Sequence, residues 1–213
     1  MNRWQAVVVT LGVAALVSGC SLQGGSAGTS GKAMPAPDGH NASVPGLPYA
    51  GAPKVNDPLP ASVLSGDPCT DALTPDQVVA AVGISVAGHR EDLAEIGPAC
   101  SWSNQDTGGS VGISYTVNTH VGLSGVYANT RPKSAVWRQI PDVQGFPAVV
   151  HAGTKGEEIP VGFCQASIGL ADSISIDVSL TLGESKRSIE DACSLVPQIA
   201  EMTVATLKAK AGS

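Results

Sequence analysis

The stretch "SISIDVSLTL", residues 173–182, alternates without a break. Ile174, Ile176, Val178, Leu180 and Leu182 fall on one side, with Ser173, Ser175, Asp177, Ser179 and Thr181 on the other. Successive side chains of a strand point to opposite faces, so strict alternation predicts a strand with one apolar and one polar face. Antiparallel sheets commonly leave one face to water. A chain carrying this stretch must therefore cover one side of a sheet with apolar partners.

Other segments supply the rest of that sheet. In "VGFCQASIGL" the residues Cys164, Ala166, Ile168 and Leu170 alternate with Gln165, Ser167 and Gly169, which predicts a hairpin with 173–182 across Ala171-Asp172. "SVGISYTVN" sets Val111, Ile113, Tyr115 and Val117 against Ser110, Gly112, Ser114 and Thr116, and "FPAVVHA" reads as a further strand. "TPDQVVAAVG" predicts a helix. Thr74 caps it, Pro75 suits its first turn, Gln77 completes a capping box, Val78, Val79 and Val82 form its stripe, and Gly83 ends it. From Ser188 onward Ala192, Val196, Ile199, Ala200, Thr203 and Leu207 share a helical face, with Lys208 and Lys210 at the negative end of the dipole. A proline inside a helix costs about 3 kcal/mol. Pro197 therefore predicts a short turn at 188–193, followed by a helix with Pro197 in its first turn. The expected fold class is α+β: an antiparallel sheet covered on its apolar face by an N-terminal and a C-terminal helix, with two disulfides.

The N-terminus predicts an address. Arg3 precedes an uncharged run, Ala6 to Val17, too short to span a bilayer and of signal-peptide length. Val17-Ser18-Gly19-Cys20 resembles a bacterial lipobox, in which the cysteine thiol takes a diacylglycerol before cleavage. Cys20 is thus the predicted lipidation site, and two or more acyl chains on one residue make a stable anchor. The expected organisation is a signal peptide at 1–19, a lipidated Cys20 with a flexible Gly/Pro/Ser-rich stalk to residue 61, and a globular domain at 62–213. Ser21 to Ala61 holds seven Gly, seven Pro and four Ser, which leaves too little apolar surface to offset ordering. Loss of residues 1–19 removes Arg3 and takes the net charge from −6 to −7. Such a chain lacks the basic footprint of a nucleic-acid binder. The expected partners are a membrane, reached through the N-terminal acyl lipid, and an envelope lipid, glycan or protein.

Four further cysteines, Cys69, Cys100, Cys164 and Cys193, form an even set in an exported domain, which favours disulfides and allows three pairings. Cys100 and Cys164 lie on core faces of predicted strands. Cys69 and Cys193 lie near helix starts, each after an acidic residue ("DPC", "DAC"). The expected pairs are Cys100–Cys164 and Cys69–Cys193, the second tying together the two ends of the domain. No C-x-x-C or Cys/His cluster is present, so no metal and no cofactor is expected.

Catalytic motifs are missing. No G-x-S-x-G, P-loop or G-x-G-x-x-G occurs. His89, His120 and His151 are far apart in sequence, so a hydrolytic site would have to be assembled in space. "HREDLAE" (89–95) reads as a solvated face. Trp102 suits packing against a disulfide or lining a pocket. Trp137, between Lys133 and Arg138, is the best pointer to a binding surface. The expectation is a non-enzymatic binding or accessory module, presenting either a sheet face or a pocket between sheet and helix. The rival is an envelope hydrolase with a His-containing site, identifiable by a histidine within reach of Ser and Asp in a cleft.

The lipobox and stalk, then "DPC", "LTPDQVVAAVG", "CSW", "VQGFPAV", "FCQASIGLADSISIDV" and "DACSLVPQIAEMTVATL", together resemble the actinobacterial lipoproteins of domain-of-unknown-function family 3558, the mycobacterial Lpr/Lpp type. The resemblance covers Asp67 to Leu207. It implies an envelope location, two disulfides and a lipid in the outer leaflet of the plasma membrane, and it implies no reaction.

Overall fold

A computed structural model describes residues 46–212. The signal peptide, Cys20 and the stalk to residue 45 lie outside the described residues. Seven strands form one sheet: β1 (His89–Arg90), β2 (Ala99–Asn104), β3 (Gly109–Thr116), β4 (Ser134–Val143), β5 (Phe146–Thr154), β6 (Phe163–Ala171) and β7 (Ile174–Thr181). Their order is β1-β2-β3-β7-β6-β5-β4, with every pairing antiparallel. The strand with the cleanest alternation, β7, sits at the centre, where Ile176 and Val178 have no exposure. It forms the expected hairpin with β6, Cys164 opposite Leu180 and Ile168 opposite Ile176.

Four short or long helices accompany the sheet among the described residues: α1 (Pro68–Asp71), α2 (Pro75–Val82), α3 (Gly122–Gly125) and α4 (Ala192–Ala211). Val78 and Val82 of α2 and Val196, Ala200, Val204 and Leu207 of α4 join Ile113, Ile176, Val178 and Ile168 in one core on one face of the sheet. The capping box of α2 is formed, with the Gln77 N–H donating to Thr74 Oγ1 and the Thr74 N–H to Gln77 Oε1 (2.8 Å). Gly83 ends the helix at φ 82°, a left-handed conformation that glycine adopts without strain.

The C-terminal helix differs from expectation. It begins at Ala192, and Pro197 is its sixth residue, in the second turn. Asp191 fixes that start, since its side chain accepts the Cys193 N–H at 2.9 Å and the Ser194 hydroxyl at 2.8 Å. Those two bonds, with Arg138 beside them, hold the Asp191 carboxyl below its ordinary range. Val196, Ile199, Val204 and Leu207 are buried on α4. At roughly 1.5–3 kcal/mol per buried aliphatic side chain, four of them outweigh the interior proline.

The disulfides also differ. They join Cys69 to Cys100 and Cys164 to Cys193, so the expected Cys100–Cys164 and Cys69–Cys193 pairs are corrected. Strand order is the reason: β3 and β7 lie between β2 and β6. Strands are spaced about 4.8 Å apart, so three steps separate Cys100 from Cys164 by roughly 14 Å, twice what a disulfide spans. Each strand cysteine instead meets the helix that lies over its own strand. Cys69 and Cys193 are both second residues of helices capped by aspartate, and both accept the same geometry, with Cα–Cα separations of 5.1 and 5.0 Å. One device, an Asp-x-Cys helix start stapled to a core-facing strand cysteine, is used twice.

Residues 46–60, read from composition as the end of the stalk, are seated on the domain. The Tyr49 N–H donates to Ser124 Oγ, the Val55 N–H to Asp172 Oδ1 and the Leu59 N–H to the Leu170 carbonyl, each at 2.9 Å. The segment runs from α3 past the β6–β7 turn to the 3-10 turn Ala61–Leu64, which packs on α4. Val55 is buried in the core on the way.

Candidate functional site

The two faces of the sheet carry different chemistry. On the face away from α2 and α4, β5 carries His151, β6 Ser167, β7 Asp177 and β3 Thr116. Asp177 accepts hydrogen bonds from the Ser167 and Thr116 hydroxyls, the second at 2.6 Å, and His151 Nε2 lies 3.0 Å from Ser167 Oγ. A histidine, a serine and an aspartate are thus in contact, which is the feature named above for a hydrolase. Their order is carboxylate, hydroxyl, imidazole. Nucleophile activation needs the imidazole in the middle, taking the hydroxyl proton. Here that proton is committed to Asp177, and Ser167 has no exposure. Burial pushes the His151 imidazole below its usual range despite the nearby Asp177 charge, which favours a neutral ring. The chain of bonds ties four strands together.

Trp137 borders this network. Its ring stacks at 20° on His151, centroid distance 6.1 Å, meets the Tyr127 edge at 5.1 Å, and has the Arg131 guanidinium 6.0 Å from its centre. Arg138 points to the other face and pairs with Asp191 at 3.1 Å. The cation beside Trp137 is therefore Arg131, brought in by the π-helical turn Val126–Thr130 after α3. With neighbours on its faces and edge, Trp137 acts as part of a second small cluster with Leu123, Tyr127 and Val149.

The remaining sequence candidates are dispersed. His89 lies on the edge strand β1, five strands from His151, exposed and 3.4 Å from Glu91. Arg90 pairs with Asp67 and Asp92, so "HREDLAE" is a solvated ion-pair surface. Trp102 is buried in the helix-side core, beside the Cys69–Cys100 bridge. No group of three metal-ligating side chains occurs among the described residues.

The helix-covered face holds a groove of about 470 Å³. It lies between the C-terminal end of α2, the first half of α4 and the end of β7. Near the start of α2, Gln77 bridges the two helices, its Nε2 donating to the Met202 carbonyl and its Oε1 accepting from Thr206. Toward the C-terminal end of α2, Ala80, Ala81 and Gly83 leave the space unfilled. Leu180, Leu182, Ile199 and Met202 make the floor, while Lys186 and Glu190 stand at the mouth, 3.7 Å apart. The lining mixes that apolar floor with Asn104, Thr107, Ser110 and Thr181 as well as the charged mouth, and the volume lies within the ~300–1,000 Å³ usual for a small-molecule pocket. A pocket between sheet and helix was one of the two expected binding modes, but its lining was not named, because the signal is an absence: two alanines at the end of α2 and its terminal Gly83 where larger residues would have closed the gap.

Comparison with known proteins gives one match. The family model described as "Protein of unknown function (DUF3558)" matches residues 15–206. No curated protein matches the chain, and no solved structure does.

Proposed function

The chain belongs to the family described as proteins of unknown function (DUF3558), and from its sequence and fold we propose that it is a lipid-anchored, extracytoplasmic, non-enzymatic binding module of an actinobacterial cell envelope. The observation that carries the binding role is the groove between α2, α4 and the end of β7. The tether rests on Val17-Ser18-Gly19-Cys20 and the uncharged run before it. The order of the His151–Ser167–Asp177 chain and the burial of Ser167 count against the hydrolase reading.

Three experiments test the proposal. Cys20→Ser should leave the protein uncleaved or released, no longer partitioning into detergent; a variant that keeps acyl chains and stays in the membrane would remove the tether. Mass spectrometry of molecules co-extracted with the full chain should find a small amphiphile that is lost in Ala80→Trp, a substitution at an exposed groove-lining position. The same molecules in both preparations would remove the groove. Hydrolysis of acyl esters by the wild type that Ser167→Ala abolishes would restore the rival.

A further inference from the structure

Resting on the groove reading, we infer that the ligand is a single-chain amphiphile with an uncharged, hydroxyl-bearing head group. The volume limits the apolar part. A groove of about 470 Å³ has room for one acyl chain. The floor suits such a chain. Leu180 and Leu182 are buried on the core side of the sheet at 6% and 5% exposure, and Ile199 and Met202 face them from α4. A chain laid there covers the parts of Leu195 and Met202 that remain exposed, over a floor that is already buried, and it displaces no hydrogen bond of the Asn104 amide, which is held by the Val82 carbonyl at 3.0 Å.

The mouth sets the head group. Its cation and anion, Lys186 and Glu190, are paired with each other at 3.7 Å. An anionic head would have to take Lys186 from Glu190 and then sit beside a free carboxylate; a cationic head meets the converse. A hydroxyl both donates and accepts, so it can donate to Glu190 and accept from Lys186 without separating them. Ser185 and Gln198, also on the rim, add donors and acceptors of the same uncharged kind.

The test uses the full chain reconstituted in phosphatidylcholine vesicles and two photoactivatable probes with the same diazirine-bearing C16 chain, a monoacylglycerol and a fatty acid. Crosslinks are mapped by peptide mass spectrometry. The monoacylglycerol should label the peptides holding Ala80–Gly83 and Leu195–Met202 at least threefold more than the fatty acid. Glu190→Gln should free Lys186 and raise fatty-acid labelling toward the monoacylglycerol level. Ala80→Trp, with unchanged circular dichroism, should cut both at least tenfold. Fatty-acid labelling equal to or above that of the monoacylglycerol, lost in Ala80→Trp, would overturn the head-group inference and leave the groove standing. Labelling unaffected by Ala80→Trp, or missing from these peptides for both probes, would overturn both.

Discussion

Gly88 sits against the first disulfide, and replacing it with alanine tests the core geometry at one point. A Cβ there would lie 2.4 Å from Cys100 Sγ, 2.9 Å from Trp102 Nε1 and 3.1 Å from Cys69 Sγ. These atoms have no room to retreat: Cys100 and Trp102 are at 1% and 2% exposure, and the sulfurs are bonded to each other. The Gly88 backbone is outside the left-handed region, so on chain entropy alone alanine would stabilise by ~0.4–1 kcal/mol. Overpacking a rigid core instead costs about 1–3 kcal/mol, so Gly88→Ala should be net destabilising. Urea unfolding of the oxidised protein measures this. The same substitution in a Cys69→Ala/Cys100→Ala background removes the nearest clash, and a double-mutant cycle should return a coupling of at least ~1 kcal/mol. A Gly88→Ala protein as stable as wild type, or one equally destabilised in both backgrounds, would refute the reasoning.

Peptide mapping without reduction should recover 69–100 and 164–193 linked pairs; a 100–164 pair would refute the strand-order argument. Each bridge closes about 30 residues, and deleting either should cost roughly 3.5–4 kcal/mol in the disputed chain-entropy model, read as a lower urea midpoint. Thr74→Ala should cost ~1 kcal/mol through loss of the α2 cap, and no change in thermal midpoint would contradict that role. Burial lowers the His151 pKa in the fold relative to 6.5, so the unfolded chain binds more protons as pH falls through that value, and stability drops below it. Urea midpoints at pH 7.5 and pH 5 should therefore fall further in wild type than in His151→Gln; equal falls would sink this assignment.

Elements with a strict local pattern could be read from the chain. β7, β6 and β3 alternate because one face packs on the apolar stripes of α2 and α4 while the other carries the Ser167–Asp177–Thr116 hydrogen bonds, partly covered by α3, and α2 announced its cap, first-turn proline and terminal glycine. β4 did not. It is an edge strand with Pro141 and a register shift between Ile140 and Val143, so its exposed residues follow no burial period. Pairing of the cysteines depended on strand order, which alternation within one strand does not contain. The repeated Asp-x-Cys at two helix starts was visible, and its meaning, two equivalent helix-to-strand staples, needed the order β1-β2-β3-β7-β6-β5-β4. Residues 46–60 were misread because glycine and proline content describes entropy, whereas three backbone donors and the buried Val55 hold the segment. A pocket between sheet and helix was expected, but its place and lining were not legible because it is built from what α2 lacks.

A crystal structure of the full chain extracted from its own membranes tests the binding role most directly. Density for one alkyl chain along Leu180, Leu182, Ile199 and Met202, with its head between Lys186 and Glu190, is the predicted result. Density for a ligand on the opposite sheet face, against Trp137 and His151, with the groove closed by its own side chains, would contradict it.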